Sequence, residues 1–347
     1  MSATHTPLKG IDHERVVEWL AGALPGFTAP FTFRLIAAGG SNLTYRVDDA
    51  HGSAFVLRRP PQGVALATAH DMGREWRIIS ALAAHAPSVP VPQPLAYCSD
   101  ETVTGAPFYV MSFVDGLILR DSAAAAALDA AAAREAMRSL VATQAALHAL
   151  DPLAIGLGEL GRHDGYVARQ LARWRRQVEA SKTRELPLLD RLHEQLCAQI
   201  PPQTRPSALA HGDYRFDNTV LDADHRVRAV LDWELCTIGD PVADFYWSLM
   251  YWAEPDDDIV LLQDPPTRLG QFPRRAEVIA CYEEYSGGPL TNAEFFTAFG
   301  WWKQACIVEG VYARLIRGGG GGMRTAPPEQ VAQIVERYLE RAARLLG

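Results

Sequence analysis

Short stretches that are apolar throughout or that alternate apolar and polar residues occur in the first third of the chain and predict β-strands. Glycine or proline turns separate five of them, at residues 31–37, 43–47, 54–58, 95–98 and 108–113. Between the third and the fourth, Trp76, Ile79 and Leu82 fall at three-residue steps, which predicts a helix over residues 71–84. We therefore expect a small antiparallel sheet with one helix packed on it.

Helical spacing of apolar residues replaces this alternation after Asp115 and Gly116. It predicts helices over residues 123–150, 166–180 and 187–200, and more helices from residue 241 to the end. Residues 208–233 are predicted to be a short β-like interruption. The fold class expected is α+β with two lobes, a small antiparallel-sheet lobe over residues 1–113 and a larger, mostly helical lobe over residues 114–347.

Composition and charge narrow the classes of partner. Hydrophobic residues make up 48% of the chain and charged residues 21%, which are ordinary values for a soluble globular protein. The formal net charge of −8 gives no electrostatic reason to expect nucleic acid or an anionic membrane as a partner. The first residues lack the pattern of a secretory signal, and the alanine-rich stretch 123–133 is too short to cross a bilayer. We expect a cytoplasmic protein.

The candidate chemistry is concentrated in the β-like section. Residues 211–218 read His-Gly-Asp-Tyr-Arg-Phe-Asp-Asn, so Asp213 and Asn218 have the spacing of a kinase catalytic loop. A lone match of this kind favours an exposed turn aspartate that caps the local backbone. Here Asp232 follows the apolar run 229–231, and Trp and Glu come next. This combination, in this order, favours the catalytic interpretation.

These residue types suit phosphoryl transfer. The reaction is catalysed mainly by positioning and by neutralising phosphate charge, so an enzyme must hold Mg²⁺ against the β- and γ-phosphates of ATP. Mg²⁺ prefers oxygen ligands, which the Asn218 carbonyl and the Asp232 carboxylate supply. A separate carboxylate must face the acceptor hydroxyl and take or orient its proton, and Asp213 is the candidate.

Residues 208–247, which read Ile-Gly-Asp-Pro-Val-Ala-Asp at 238–244, resemble the motif of the aminoglycoside phosphotransferase and choline kinase families. These families belong to the protein-kinase-like superfamily, and the order of elements elsewhere in the chain agrees. Residues 39–42, 109–116 and 166–176 carry a further likeness, to kinase-like domains that some larger proteins carry fused to acyl-CoA dehydrogenase modules. The resemblance implies a protein-kinase-like two-lobed fold and a kinase that uses ATP and Mg²⁺ to phosphorylate a small-molecule hydroxyl.

The resemblance also implies roles for single residues of the second lobe and its metal loop. Asp213 would be the catalytic base, with Asn218 and Asp232 as the Mg²⁺ ligands. Asp244 would anchor the catalytic loop, and His211 would be a hydrogen-bonded scaffold residue. The pair Asp240 and Pro241 fits a helix N-cap followed by a first helical proline.

In the first lobe the resemblance implies a nucleotide site. A loop over the phosphates would comprise Gly39, Gly40, Ser41 and Asn42. Backbone groups near Ser112 and Phe113 would bind the purine edge. An ordinary hairpin turn and a plain buried strand are the alternative interpretations of these two segments.

The third strand departs from the wider superfamily, which places a lysine there. Residues 55–59 read Phe-Val-Leu-Arg-Arg, so an arginine must take that role. Arg58 continues the apolar run directly, and Glu75 is its expected helix partner. Arginine can hold phosphate in a bidentate fork, but it is not interchangeable with lysine. The alternative is that Arg58 and Glu75 are solvated surface charges.

The acceptor site is expected in the helices after Asp244. A polycationic aminoglycoside would need a clustered acidic pocket, and the acidic run 256–258 is typical of a solvated loop. Arg314, Arg317 and Arg324 flank the glycine run 318–322 and suit an anionic acceptor, such as a hydroxyacyl-CoA or a hydroxy acid. Two alternatives stay open: an antibiotic phosphotransferase of the aminoglycoside type, and a pseudokinase that binds nucleotide without turnover.

Overall fold

The computed structural model describes residues 10–38, 42–61, 71–318 and 326–347. The helices are α1 (His13–Ala23), α2 (Met72–His85), α3 (Glu101–Thr104), α4 (Ser122–Ala125), α5 (Ala130–His148), α6 (Tyr166–Ser181), α7 (Pro187–Ala198), α8 (Pro241–Leu249), α9 (Arg275–Ser286), α10 (Ala293–Ile316) and α11 (Pro328–Leu346). The strands are β1 (Thr32–Ala38), β2 (Leu43–Asp48), β3 (Ala54–Arg59), β4 (Pro94–Cys98), β5 (Phe108–Ser112), β6 (Ala208–Ala210), β7 (Thr219–Leu221), β8 (Val227–Val230) and β9 (Thr237–Gly239).

The chain packs as two units that are interleaved in sequence. The first unit runs to Ile118 and also includes Ile155–Leu157 and Asp217–Leu235. The second comprises Leu119–Ala154, Gly158–Phe216 and Cys236–Gly347. Strands β7 and β8 therefore pack with the strands from the beginning of the chain. The second unit is mostly helical, so the predicted α+β class is confirmed.

A five-stranded antiparallel sheet forms the centre of the first unit, in the order β1-β2-β3-β5-β4. Each strand begins and ends within one residue of its predicted position. Side chains alternate between the two faces of the sheet, so Leu57 enters the apolar core while Arg58 points to the other face. The register places Arg58 opposite Tyr109 of β5. Arg58 therefore lies on the face of the sheet opposite to this apolar core.

Both faces of this sheet are covered, and the single helix expected from the sequence is only one of the covers. Helix α2 packs against β4 and β5, as the periodicity of residues 71–84 predicts. Helix α1 was not predicted, and its Val16 and Leu20 share one apolar cluster with Tyr45, Phe55 and Leu57. A sheet with apolar residues on one face needs an apolar cover there, and the short α1 supplies it.

The second unit contains most of the helices. Residues 123–150, predicted as continuously helical, are divided into α4 and α5, because Asp129 caps the start of α5 by accepting a hydrogen bond from Ala132 N at 2.8 Å. Helices α6 and α7 begin where predicted. Helix α10 comes so close to Met250, just after α8, that any side chain at Gly300 would collide with its sulfur. Within the described ranges, no helix has the length and apolar character needed to span a membrane.

Replacing Leu20 by alanine should destabilise the first unit by about 2–5 kcal/mol, because this side chain is fully buried under the sheet and its removal leaves a cavity. Urea unfolding followed by tryptophan fluorescence would measure the change. Glu18→Ala, on the exposed side of the same helix, is the matched control and should change stability by less than about 0.5 kcal/mol. Equal midpoints for the two variants would show that α1 is no part of the core.

Candidate active site

The hairpin of β7 and β8 brings two of the predicted site residues to the same end of a strand pair. Thr219 lies opposite Val230, and the next residues outward are Asn218 and Leu231. The Leu231 N–H donates to the Asn218 carbonyl at 2.8 Å, so Asp232 follows directly beside Asn218. Asp232 has a φ of +64°, a left-handed conformation that is uncommon for residues other than glycine. The backbone therefore turns sharply at a predicted metal ligand.

The side chain after Asp232 fixes this turn. Trp233 is buried almost completely, and its indole N–H donates to the Val230 carbonyl at 3.1 Å. Strand β8 is held in turn by a hydrogen bond from Val230 N to the Pro90 carbonyl at 2.8 Å. The backbone next to Asp232 is therefore held by a buried tryptophan and by hydrogen bonds.

Arg58 lies at the centre of an ionic network in the first unit. Its Nε is 3.0 Å from Glu75 Oε2, and its second amino group contacts Asp232 Oδ1 and lies 3.8 Å from Glu234 Oε2. The predicted pairing of Arg58 with Glu75 is therefore confirmed. Glu75 is 1% exposed, so the alternative of solvated surface charges is wrong.

Burial and charge act against each other in this network. Burial alone would lower the pKa of Arg58, but Glu75 and the other acidic groups around it raise that pKa above its ordinary value. Burial raises the pKa of the Glu75 carboxyl, and Arg58 opposes that rise. Tyr109 adds a hydrogen bond, with its hydroxyl donating to Glu75 Oε2 at 2.9 Å. One guanidinium thus faces the three carboxylates of Glu75, Asp232 and Glu234, which favours the binding of a further cation.

The donor set at Asn218 and Asp232 fits Mg²⁺ in kind. Both side chains offer oxygen atoms, and Mg²⁺ in proteins commonly takes one or two such ligands together with water and substrate phosphates. In the part of the chain that the structure describes, no group of three His, Cys, Asp or Glu side chains is arranged to hold a metal ion by itself. Any cation here would have to complete its coordination with other oxygens.

The predicted phosphate loop is described only at its last residue. Gly39, Gly40 and Ser41 lie outside the described residues. Asn42 is buried, and its amide donates to Glu234 Oε2 at 2.8 Å and more weakly to Glu75 Oε1 at 3.4 Å. Its Oδ1 is also buried, without a hydrogen-bond donor among the described residues. Asn42 therefore joins the acidic side of the Arg58 network, a contact that the sequence did not indicate.

The two residues predicted at the purine edge lie at the end of β5, outside the Arg58 network. The Ser112 N–H donates to the Gln93 carbonyl at 2.8 Å, and Gln93 N donates to the Ser112 hydroxyl at 2.9 Å. Phe113 stacks under the Arg46 guanidinium, 4.3 Å from the ring centre. The Ser112 N–H already donates to Gln93, so a purine would have to bind to carbonyl groups or to the backbone that follows.

In the second unit, Asp244 holds the loop that carries Asp213. Its Oδ2 accepts from His211 N at 3.1 Å and its Oδ1 from Gly212 N at 3.0 Å. Its Oδ2 is also 3.1 Å from His148 Nε2, whose other ring nitrogen meets the Tyr282 hydroxyl. Burial would raise the pKa of Asp244, but the His148 hydrogen bond and the loop N–H donors lower it below its ordinary value. Asp244 anchors the loop, as the resemblance implied.

Asp213 itself is 20% exposed and lies 3.1 Å from Arg215 Nε. Its N–H donates to His211 Nδ1 at 3.3 Å, so that nitrogen is occupied and His211 supports the loop. Arg215 in turn stacks on Tyr251 at 5.1 Å. The contact between Arg215 and Asp213 was not predicted, and its only sequence signal is the position of Arg215 within the same loop.

Helix α8 begins as predicted. Asp240 accepts from Val242 N at 2.8 Å and caps the helix, and Pro241 occupies its first turn. Asp244 lies in that first turn too, so the capped start of α8 fixes where its carboxylate meets the loop.

Asp244→Ala should lower the free energy of unfolding by about 3–5 kcal/mol at pH 7, because His148 and two loop N–H groups lose a buried partner. The folded-state pKa of Asp244 lies below its unfolded value, so its stabilisation is present above that unfolded value, near pH 4, and is lost as the pH falls through the folded pKa. Urea midpoints of wild type and variant should therefore converge toward pH 2. Glu194→Ala, an exposed acid on α7, is the control, and a gap that is equal at both pH values would contradict the assignment.

Comparison with known proteins agrees with this geometry. The model of the phosphotransferase enzyme family matches residues 32–273. Acyl-CoA dehydrogenase family member 11 of Gallus gallus is 35% identical over 345 residues, which are 96% of this chain and 44% of that protein. The chain thus spans less than half the length of that relative.

Solved structures show the same fold. A protein of Ralstonia eutropha JMP134, named as a candidate aminoglycoside phosphotransferase, is 31% identical, with a TM-score of 0.77 and coverage of 96% of this chain and 98% of that one. The streptomycin–ATP–APH(2")-IIa ternary complex is 12% identical, with a TM-score of 0.63 and 99% of both chains covered, and this likeness concerns the fold alone. The predicted protein-kinase-like, two-lobed α+β fold is therefore confirmed. The chain belongs to the phosphotransferase enzyme family, and its reaction class is the transfer of a phosphoryl group to a hydroxyl.

Proposed function

We propose that this protein is an ATP- and Mg²⁺-dependent small-molecule kinase whose acceptor is an anionic hydroxy compound, a hydroxyacyl-CoA or a hydroxy acid. The observation that carries the kinase part is the buried network in which Arg58 joins Glu75 and Asp232, with Asn218 beside Asp232. It combines a fixed cation for phosphate with oxygen ligands for a metal, the two requirements of phosphoryl transfer.

In this proposal Arg58 contacts the phosphates of ATP. Its guanidinium is already oriented by Glu75, so it can turn from Asp232 to phosphate oxygens without losing its helix partner. Asn218 and Asp232 would hold Mg²⁺, which supplies charge neutralisation at the transferring phosphate. Gly39, Gly40, Ser41 and Asn42 are assigned to the phosphate loop, and Ser112 and Phe113 to the adenine edge.

Asp213 is assigned as the base that receives the acceptor proton. It is partly exposed and held by a loop that Asp244 anchors at two N–H groups. It is assigned to the same reaction as Asn218 because only four residues separate them in the chain. The hydrogen bond from Arg215 Nε to Asp213 Oδ1 would hold this carboxylate in place until the acceptor hydroxyl binds.

Basic residues of the second unit support an anionic acceptor. A cavity of about 380 Å³ lies between α6 and α10, and Trp174, Gln177, Arg314 and Arg317 are among the residues that line it. The name of the Gallus gallus relative, a member of the acyl-CoA dehydrogenase family, also supports an acyl-CoA compound as the acceptor. Arg324, the third arginine of the sequence prediction, lies outside the described residues.

The aminoglycoside alternative rests on the name of the Ralstonia eutropha protein. A polycationic acceptor needs carboxylates that are free to bind it. The acidic run 256–258 does not offer them in full, because Asp256 is paired with Arg274 at 2.6 Å and Asp257 is paired with Arg275. This pairing favours an anionic acceptor over a cationic one.

The first test is Mg²⁺- and ATP-dependent phosphorylation of a panel of acceptors, read by mass shift. The panel would contain hydroxyacyl-CoAs, hydroxy acids, choline, sugars and aminoglycosides. Asp213→Asn should lower turnover on the order of 10²- to 10⁴-fold, because the acceptor loses its base. Asp224→Asn, an exposed turn residue with the same charge change, is the control. Phosphorylation of cationic sugars alone would refute the anionic acceptor, and tight ATP binding without any transfer would favour a pseudokinase.

Asp232→Asn should remove most of the gain in ATP affinity that Mg²⁺ provides, by about tenfold or more, because a charged ligand of the metal is lost. Asparagine tolerates the left-handed backbone of this position, so the turn is kept. Isothermal titration of ATP with and without Mg²⁺ would measure the effect, again with Asp224→Asn as control. An unchanged Mg²⁺ effect would take Asp232 out of the metal site.

A further inference from the structure

Lys303 is a largely buried cation that forms no ion pair with the described residues of the second unit. It lies within α10 and is only 9% exposed. Its Nζ sits 3.5 Å from the centre of the Trp247 ring. Within the described residues, neither a carboxylate nor any hydrogen-bond acceptor lies in range of this ammonium group. Lysine is almost never so deeply buried without a partner, so this group needs an explanation.

The contact with Trp247 places Lys303 next to the loop of the proposed base. The indole N–H of Trp247 donates to the Gly212 carbonyl at 2.8 Å, and Gly212 directly precedes Asp213. Burial lowers the pKa of Lys303 to about 8, and the charges of Asp244 and Asp213 oppose that shift. One aromatic side chain, Trp247, therefore lies in contact with both the ammonium group and the loop that carries Asp213.

A second cation faces the same region. Arg173 of α6 is exposed, and among the described residues no carboxylate is paired with it. It lies near enough to Lys303 to contribute to lowering the pKa of the lysine. The charges that act on Lys303 are thus two carboxylates, Asp213 and Asp244, and one guanidinium. Asp244 is already bound by His148 and two N–H groups, so it is not available as a partner.

We propose that Lys303 is a specificity-determining residue that donates a hydrogen bond to a carboxylate or carbonyl oxygen of the acceptor while Asp213 faces its hydroxyl. This inference rests on the proposed function and names the part of the acceptor that is recognised. An acyl oxygen would give the ammonium group a partner that the described residues do not supply, and Arg173 would strengthen the attraction. A cationic acceptor would meet two unpaired positive charges beside the base, so the same residues would reject it.

Acceptors that differ in whether they carry an acyl oxygen can test the role of Lys303. The probes are 3-hydroxybutyrate, which carries a carboxylate, 3-hydroxybutyryl-CoA, which carries a thioester carbonyl, and 1,3-butanediol, which has the hydroxyl and no acyl oxygen. Lys303→Met keeps the length of the side chain and removes its charge. It should raise KM by about 10- to 100-fold for an acyl acceptor and leave KM for the diol and for ATP within about threefold. The acyl probe that responds more strongly identifies the oxygen that Lys303 binds.

Lys182→Met, an exposed lysine at the end of α6, is the matched control and should change none of these constants. Thermal unfolding would verify that the variants fold, with Lys303→Gln as a second neutral variant and Lys303→Arg expected to restore part of the affinity. A purely structural role of Lys303 would alter all acceptors alike. An equal change for acyl and non-acyl acceptors, or no change, would overturn the proposal.

Direct binding distinguishes a failure of this inference from a failure of the proposed kinase. Isothermal titration of 3-hydroxybutyrate and of 3-hydroxybutyryl-CoA needs no turnover and can be performed without nucleotide. Tighter binding by wild type than by Lys303→Met would support the subsite even if no phosphate is transferred. Equal binding by the two proteins, or no binding of either probe to wild type, would overturn it while leaving the Mg²⁺ and ATP results of the other variants unaffected.

Discussion

The ion pairs of the buried Arg58 guanidinium hold together the part of the first unit that contains the candidate site. A buried charge is tolerated only when it is paired, and Arg58 finds its partners in two other parts of the chain. It belongs to β3, Glu75 belongs to α2, and Asp232 and Glu234 follow β8. The sheet, the helix that covers it and the hairpin are therefore joined by one side chain.

The same network has the charge that the proposed metal and phosphate site requires. Three carboxylates around one arginine leave excess negative charge, which a divalent cation would compensate. The left-handed turn at Asp232 holds one of these carboxylates beside Asn218. Arg58 and Asp232 form an ion pair in the structure. A cation that binds Asp232 and a phosphate that binds Arg58 would therefore have to compete with this ion pair.

The second unit also contains a buried charge, which is the carboxylate of Asp244. Asp244 is buried and accepts hydrogen bonds from three donors, two of which are N–H groups of the loop of Asp213. Lys303 contacts the ring of Trp247 and has no such hydrogen bonds among the described residues. A fully paired carboxylate suits a scaffold, and a cation with few protein partners suits the binding role proposed for Lys303. The two residues differ in how many hydrogen bonds the described residues supply to them.

The sequence by itself determined the local elements and the reaction class. Short apolar or alternating stretches between turn residues located five strands to within one residue, and the capping pair Asp240–Pro241 located the start of α8. The spacing of Asp213, Asn218 and Asp232 indicated phosphoryl transfer. These features are set by periodicity, capping and spacing, which are properties of neighbouring residues.

Only the tertiary structure decided which distant side chains meet. The pairing of Arg58 with Glu75 could be predicted because a strand cation and a helix acid are expected to face each other. Tyr109 enters the network through the register of β3 and β5, and Asn42 through the packing of segments far apart in sequence. Lys303 left one signal, a lone lysine in an apolar helix, but its position over Trp247 depends on how α8 and α10 pack. Partners across a fold follow from register and packing, which no local pattern of residues contains.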